Sequence, residues 1–301
     1  MNKLFFAQKR FERIYNKKRD NLCSDRFFQD LNNFISFYFG DYNERKKLFY
    51  FEPSGCVAEE LFRKKYYQNL SFEIEQNIVQ VTNYLLRYGR AYLYLQPEYI
   101  KTADNNSYTD DISAIEMMFY VGCIISKNGP KTYFYTKSKG FEGEKKELVS
   151  DRLIEFNLKD IGFGNNYFKK IGNRLCKYDT TSSATKFLSE QIEGYDFIIH
   201  KKYNEIESLK ITKKTGWYIN TEELSNSYIM FRRIQMNKLK KKILDYIVEE
   251  INKGIIKLLG DQSAGTLRIN VKDLDYDKMW NDYLKGEMTG SNLNKVLFRN
   301  Y

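Results

Sequence analysis

The stretch NSYIMFRRIQMNKLKKKILDYIVEEINKGIIKLLG, residues 226–260, carries the strongest periodic pattern in this chain. Its apolar residues recur at steps of three to five, as they do on one side of a helix. They are Ile229, Ile234, Leu239, Ile243, Ile247, Ile251, Ile255 and Leu258. Asn226 or Ser227 can cap the start, and Gly260 stands where a glycine commonly ends a helix. The pattern predicts one continuous helix of roughly 50 Å.

Basic residues are concentrated in the first half of this predicted helix, and acidic residues follow in the second half. The basic ones are Arg232, Arg233, Lys238, Lys240, Lys241 and Lys242, and the acidic ones are Asp245, Glu249 and Glu250. This polarity predicts a concentrated positive face at one end of the helix. Such a face either contacts the phosphates of a nucleic acid or is the solvated side of a core helix.

Length and composition describe a folded protein with an excess of positive charge. The chain has 301 residues, of which 42% are hydrophobic and 29% are charged, so it can bury a core and form one large domain or two ordinary ones. No apolar run approaches the roughly 18 residues that a transmembrane helix needs, and we expect no membrane partner. The net charge of +10 makes nucleic acid or another acidic surface the first candidate partner.

The cysteines and the single histidine do not form a metal or disulfide motif. Cys23, Cys56, Cys123 and Cys176 are far apart and include no CxxC pair, and no nucleophile is identifiable as a partner of His200. A structural zinc site needs closely spaced ligands, and a disulfide framework is typical of short secreted chains. We therefore expect reduced cysteines, as in a cytoplasmic-type protein, and no bound metal.

Two further motifs come close to functional sites but lack essential parts. Gly162-x-Gly164 has neither the third glycine nor the lysine of a phosphate-binding loop, so it predicts a turn. Asp275 and its acidic neighbours begin like a calcium loop, yet Lys278 occupies the glycine position, so they predict the end of a strand and a helix cap. We expect neither a catalytic site nor a cofactor, and an enzyme with a dispersed site stays open as an alternative.

Local patterns predict a mixed α+β fold. Helices are predicted over residues 24–40, 57–67, 72–88, 167–178, 184–193, 226–260 and 277–284. Strands are predicted over residues 91–95, 115–125, 132–136, 152–158 and 266–271, with further strands within 198–219. A polar loop is predicted over residues 101–111, and turns at 127–130, 140–146, 162–166 and 213–216. The elements suggest an N-terminal helical region at 1–115, a mixed β/α region at 116–225 and a C-terminal region at 226–301.

Three segments resemble the portal (connector) proteins of tailed bacteriophages. QNIVQVTNYLLRYGRAYLYL, residues 76–95, is similar to the portal wing helix that runs into a glycine and a strand. Residues 151–175 resemble the family's middle segment, in which a strand, a glycine-containing loop and a helix follow one another. Residues 238–294 have the order typical of portal C-termini: a helix, the strand at 267–269, then Lys285-Gly286, Thr289-Gly290 and Asn294.

The resemblance implies a portal-like fold with a helical wing at residues 1–115, a long stem or channel helix and a small mixed β region. It implies a homo-oligomeric ring of about twelve copies at the capsid vertex of the virion, assembled in the host cytoplasm. Such a ring has no catalytic site and passes double-stranded DNA without sequence specificity during packaging and ejection. Its other partners are the major capsid protein, the packaging terminase and the head-tail adaptor proteins of head-tail joining.

Under this interpretation the six basic residues of the long helix lie at or near the DNA channel. The competing interpretation is a sequence-specific DNA-binding replication initiator of a phage or plasmid, in which residues 231–253 form a recognition-type helix followed by its support. The residues before this segment do not form a compact helix-turn-helix, and recognition helices are usually shorter.

Overall fold

The computed structural model describes residues 22–32, 48–101, 108–119, 123–128, 131–136, 145–176, 205–218, 225–260, 265–270 and 274–299. The helices are α1 (Leu22–Asn32), α2 (Val57–Tyr66), α3 (Leu70–Tyr88), α4 (Tyr167–Leu175), α5 (Asn226–Leu259), α6 (Tyr276–Leu284) and α7 (Gly290–Arg299). Residues 205–211 are also helical, and 3₁₀ turns occupy Tyr67–Asn69, Ser150–Arg152 and Leu158–Ile161. The strands are β1 (Phe49–Glu52), β2 (Arg90–Lys101), β3 (Tyr108–Phe119), β4 (Cys123–Asn128), β5 (Lys131–Thr136), β6 (Lys145–Leu148), β7 (Leu153–Asn157) and β8 (Thr266–Ile269). The predicted α+β class is confirmed.

The strands of the described ranges form three small antiparallel sheets with the orders β1–β8, β3–β2–β7 and β4–β5–β6. In the second sheet Leu93 of the central strand lies opposite Phe119 of β3 and Ile154 of β7. In the first sheet Phe49 pairs with Ile269, so strands from the two ends of the described chain meet. The third sheet contains the predicted hairpin, in which β4 and β5 are adjacent.

A helix, a glycine and a strand follow one another directly at the junction of α3 and β2. Helix α3 buries Ile74, Ile78 and Val81 on one side, as the spacing of its apolar residues predicts. It ends at Gly89, whose φ of 79° suits glycine and whose N–H donates to the carbonyl of Leu85 at 2.8 Å. Because β2 begins with the next residue, this cap fixes where the strand leaves the helix.

The predicted glycine loop between β7 and α4 packs against the same junction. Leu158 donates its backbone N–H to the carbonyl of Gly89 at 3.1 Å. A side chain at Gly89 would overlap the backbone of Asn165, so the loop can approach only a glycine this closely. Gly162 then ends the 3₁₀ turn after β7 with a φ of 81°, and Tyr167 begins α4. The end of α3 and the start of α4 are therefore held together.

Helix α5 is the predicted long helix, and it is continuous over 34 residues. Its N-cap is Ser225 and not Asn226 or Ser227, because the Ser225 hydroxyl accepts a hydrogen bond from the backbone N–H of Tyr228 at 3.3 Å. Gly260 ends the helix as predicted, with a φ of 70° and a hydrogen bond back to the last turn.

The apolar stripe of α5 packs into the core for most of its length. Six of the periodic residues are at most 7% exposed: Ile234, Leu239, Ile243, Ile247, Ile251 and Ile255. The helix packs against α3, α7, β7 and β8. From Lys242 onward its exposed charged residues form a stripe that carries both signs of charge, namely Lys242, Asp245, Glu249, Lys253 and Lys257. α5 is therefore a core helix with one solvated stripe.

Two hydrophobic clusters hold the described elements together. The larger one extends from α1 through α3, the β3–β2–β7 sheet and α5 to β8. The smaller one joins the start of α5 to the two C-terminal helices through Met230, Ile234, Met279, Leu293 and Leu297. The smaller cluster explains why α6 and α7 lie against the basic half of α5.

The strand predictions need three corrections. Residues 108–111 of the predicted polar loop belong to β3, where Tyr108 pairs with Lys101. The single strand predicted at 115–125 is divided between β3 and β4. Lys145 of a predicted turn pairs with Tyr135 in the β5–β6 ladder. Cross-strand partners decide such segments, and local polarity does not reveal them.

The helix predictions need corrections in three places. α3 begins at Leu70, two residues before the predicted start at residue 72. Residues 205–211 are helical where strands were predicted. Ser208 and Thr212 are both buried, and their spacing of four residues fits one side of a helix and not the alternation of a strand. α7 was not predicted, since its two buried apolar residues make too short a pattern.

The predicted region boundary at 115/116 lies inside β3, and the one at 225/226 lies at the N-cap of α5. The helix predicted at 184–193 and His200 lie outside the described residues. Cys23, Cys56 and Cys176 are not in disulfide bonds.

Candidate nucleic-acid interface

The six basic residues of the first half of α5 lie on two opposite sides of the helix. Successive helical residues are rotated by roughly 100°, which places Arg232, Arg233 and Lys240 in one sector and Lys238, Lys241 and Lys242 in the opposite sector. In the first sector Arg232 and Lys240 are buried and Arg233 is half-buried, whereas in the second sector Lys242 is exposed and Lys238 and Lys241 are partly exposed. The six residues therefore do not form one positive face.

Arg232 is enclosed by the protein and bound by uncharged acceptors. Its side chain is 0% exposed. Nη2 donates to Oγ1 of Thr212 at 2.7 Å and to the carbonyl of Trp217, and Nη1 donates to the carbonyl of Leu209 at 3.4 Å. Burial lowers the pKa of Arg232, and the nearby Tyr228 opposes this shift. The guanidinium group fixes the segment at 209–217 and does not reach solvent.

The turn that receives Arg232 is in direct contact with the backbone of α5. Gly216 has a φ of 75°, and a side chain there would overlap the carbonyl oxygen of Arg232 and the amide of Met236. The Thr212 hydroxyl lies 2.7 Å from the carbonyl oxygens of both Ser208 and Trp217 and can donate its one proton to either of them. This predicted turn at 213–216 is confirmed, and its glycine allows the close approach.

Lys240 is also buried, with 5% of its surface exposed. Burial lowers the pKa of Lys240 to about 8, while the negative charge of Asp30 on α1 acts in the opposite direction. Oδ2 of Asp30 also accepts a hydrogen bond from Nε1 of Trp217 at 2.8 Å. Asp30 therefore connects α1, the turn and the buried side of α5.

Two further basic residues join α5 to the C-terminal helices. Arg233 is half-buried and donates from Nε to the hydroxyl of Tyr218 at 2.8 Å and from Nη1 to Oδ1 of Asn294. Lys238 forms an ion pair with Asp277 of α6. Both side chains therefore already have partners in this chain.

Lys241 and Lys242 are the outward basic residues at the middle of the helix. Lys241 forms an ion pair with Asp245 one turn further on, at 2.8 Å. Lys242 is exposed, and its ammonium group lies 5.4 Å from the ring centroid of Phe163. With Lys238, they make an outward basic sector on α5 that is screened in part by acidic neighbours.

The structure brings a second set of basic residues together that the sequence analysis missed. A groove of about 370 Å³ lies between α4 and the segment at 210–214, and we call it the basic groove. It is lined by Tyr167, Lys170, Ile171, Arg174, Lys210, Ile211, Lys213 and Lys214. The five cations are exposed, and none of these lining residues is acidic. The two walls are far apart in sequence, so no local motif could have revealed the groove.

Both walls of the basic groove are anchored to the core. On α4, Gly172 packs against the Phe28 ring and the Ser24 hydroxyl of α1, where a side chain would clash. The opposite wall is the segment whose carbonyl and hydroxyl oxygens bind Arg232. The buried arginine thus positions the exposed lysines on the other side of the same segment.

The remaining motifs have structural roles in the described residues. Asp275 caps α6 as predicted, because its Oδ1 accepts a hydrogen bond from the backbone N–H of Lys278 at 2.9 Å. In the stretches that the structure describes, no group of three or more His, Cys, Asp or Glu side chains could hold a metal ion. Within those same stretches, none of the helices is long and apolar enough to cross a membrane.

No protein-family model matches the chain, and a search of curated proteins finds no significant match. The fold and the two basic surfaces therefore carry the functional argument.

Proposed function

We propose that the protein is a portal (connector) subunit, which forms a ring at the capsid vertex of a tailed bacteriophage and passes double-stranded DNA. The observation that carries the proposal is how the three resembling segments are arranged. α3, Gly89 and β2 form a helix–glycine–strand unit, and β2 pairs with β7, which leads through the glycine loop into α4. α5, β8 and α6 follow in the order that the resemblance implies.

In this proposal the chain acts by assembly and not by catalysis. The ring would bind the major capsid protein around it, the packaging terminase at one face and the head-tail adaptor proteins at the other. Closed rings use one repeated interface, so a single subunit surface is enough to build the channel.

The outward basic sector of α5 is the part of the predicted six-residue site that keeps exposed surface for DNA, although Lys238 and Lys241 also pair with carboxylates. Lys238 and Lys241 each keep about a third of the side chain exposed, and Lys242 is exposed. Such lysines attract phosphates without distinguishing bases, as a channel requires. Arg232 and Lys240 would support the helix from inside.

The replication initiator receives less support from the same geometry. A recognition helix must present one free face to the major groove. Within residues 231–253 Arg232 and Lys240 are buried and cannot contact bases, and the helix is 34 residues long, which is longer than a usual recognition helix.

The proposal is tested by the salt dependence of DNA binding. We expect the purified protein to bind two duplexes of unrelated sequence equally, since phosphate contacts carry no sequence information. The variant K238Q/K241Q/K242Q should lower the slope of log affinity against log salt by up to roughly 3, because each lost phosphate contact contributes about 0.9. The matched variant K64Q/K278Q/K285Q removes the same charge from exposed lysines elsewhere and should lower the slope by less.

Two results would oppose the proposal. A preference of about a thousandfold for one duplex sequence would favour the initiator. Equal slopes for both triple variants would mean that the outward lysines only solvate the helix.

A further inference from the structure

The floor of the basic groove is apolar, although its rim is charged. Ile171 is 6% exposed, and Ile211 and Tyr167 are partly exposed beside it. Ile211 and Tyr167 pack against the main core on one side and line the groove on the other. When another apolar surface covers partly exposed apolar side chains in a concave site, the free energy of the system decreases, which favours binding.

The rim carries cations at the spacing of helical turns. Lys170 and Arg174 are one turn apart on α4, and Lys210 and Lys214 are four residues apart on the facing wall. Lys210 is paired with Glu207 at 2.7 Å, whereas no ion pair with a described carboxylate is found for the other cations of the rim. The groove therefore has two positively charged walls above an apolar floor.

We propose that the basic groove binds an acidic, amphipathic segment of another protein. Such a segment, when helical, places apolar residues at steps of three and four and carboxylates on both flanks. The apolar residues would cover Ile211 and Tyr167, and the carboxylates would face Lys213, Lys170 and Arg174. This charge complementarity favours encounter and sets the orientation of the partner.

The shape of the groove favours a protein segment over duplex DNA. A groove of about 370 Å³ accommodates several side chains. A duplex presents a convex, highly charged backbone, which would leave the Ile211 and Tyr167 side chains facing water and phosphate. The inference depends on the groove alone and not on ring assembly, so it can fail while the connector proposal stands.

The test compares binding of two peptides and one duplex to the full-length protein by fluorescence anisotropy. The probe is a peptide of about 20 residues with leucine at helical spacing and glutamate on both flanks, and the control peptide has glutamine in place of glutamate. We expect the acidic peptide to bind at least about tenfold more tightly than the neutral one, because the rim is cationic. The duplex has about 20 base pairs of arbitrary sequence.

Variants of the protein then test whether the acidic peptide binds in the basic groove. K213E/K214E should weaken binding of the acidic peptide at least about tenfold, whereas K278E/K285E, which makes the same charge change on exposed residues outside the groove, should weaken it less than about twofold. I211Q keeps the charge and should weaken binding about threefold to tenfold through loss of the apolar floor. Circular dichroism and urea unfolding would establish that each variant is folded.

Four results would overturn the inference. The first is that the acidic peptide does not bind, and the second is that K213E/K214E and K278E/K285E lose the same affinity for it. The third is that K213E/K214E loses duplex binding while its peptide binding is unchanged. The fourth is that the protein self-associates and K213E/K214E abolishes the self-association. The third would assign the groove to nucleic acid, and the fourth would assign it to a second copy of this chain.

Discussion

Arg232 and Lys240 are cations that this protein encloses, although arginine and lysine side chains in soluble proteins almost always reach water. Arg232 offsets the loss of hydration with three hydrogen bonds to uncharged acceptors. Lys240 has the carboxylate of Asp30 nearby, yet its pKa is still lowered. Removing these two charges should therefore have different consequences.

Replacement of Arg232 by methionine should destabilise the protein by about 2 kcal/mol. The substitution relieves the desolvation of a charge, but it also removes the hydrogen bonds that Arg232 donates to the oxygens of Leu209, Thr212 and Trp217, and we expect the second effect to be larger. Urea unfolding measures the change. K242M, an exposed position on the same helix, should change the free energy of unfolding by less than about 0.5 kcal/mol. Equal changes in both variants would contradict the role given to Arg232.

Lys240 should make stability rise with pH above about 8. In the folded protein its pKa is about 8, compared with about 10.4 in an unfolded chain. Between these values the unfolded state binds more protons, so the free energy of unfolding increases with pH. Below about pH 8 the buried ammonium group is charged, which costs stability, and this cost disappears as Lys240 loses its proton. Relative to K240M, the wild type should gain on the order of 2 kcal/mol between about pH 7 and 9.5.

Urea unfolding of both proteins across this pH range provides the measurement. The comparison with K240M removes the pH dependence that the two proteins share. Parallel curves for the two proteins would mean that Lys240 is not desolvated.

The sequence could not have identified which basic residues of α5 are buried. Helical rotation separates Arg232 and Lys240 from Lys238, Lys241 and Lys242, but the charge pattern does not say which sector meets the protein. The partners of Arg232 lie 15 to 23 residues away and are uncharged. No charge pairing in the sequence therefore points to them.

At the scale of elements, the glycine at the end of the turn determines how closely the segment at 209–217 approaches α5. Gly216 and Gly260 have nearly the same positive φ, 75° and 70°. They differ in surroundings, since a side chain at Gly260 would meet open space whereas one at Gly216 would meet the backbone of α5. A comparison of substitutions at Gly216 and Gly260 therefore separates the effect of steric contact on stability from the effect of backbone conformation.

Gly216→Ala should therefore cost more stability than Gly260→Ala. We expect about 1 kcal/mol for Gly260→Ala, from backbone conformation alone, and at least about 3 kcal/mol for Gly216→Ala, because the turn must also move away from the helix. Chemical denaturation of both variants checks this difference. A loss at Gly216 no larger than that at Gly260 would show that the turn does not need this close approach.

Elements with long periodic patterns were predicted well, and those that depend on distant partners were not. The stripe from Ile234 to Ile255 predicted α5, and Gly89 predicted the change from α3 to β2. β3 extends into the predicted loop because it pairs with β2, and the helix at 205–211 forms against α5. The basic groove was missed for the same reason, since its walls meet only in the folded chain.

At the scale of the whole molecule, the basic half of α5 contributes residues to both hydrophobic clusters. The larger cluster holds the segments that resemble the wing and middle parts of portal proteins, and the smaller one holds α6 and α7. One helix thus connects the regions that, in the proposed ring, would contact different partners. The net charge of +10 suits such a channel-forming assembly, because it lowers the electrostatic cost of bringing DNA phosphates close.

The mass and shape of the purified full-length protein test the connector proposal most directly. Native mass spectrometry gives the number of copies, and negative-stain imaging reveals whether the particle has a central hole. The proposal predicts closed rings of about ten or more copies with a hole wide enough for duplex DNA. Particles of one or two copies at every concentration, with and without DNA, together with a strong preference for one duplex sequence, would contradict it.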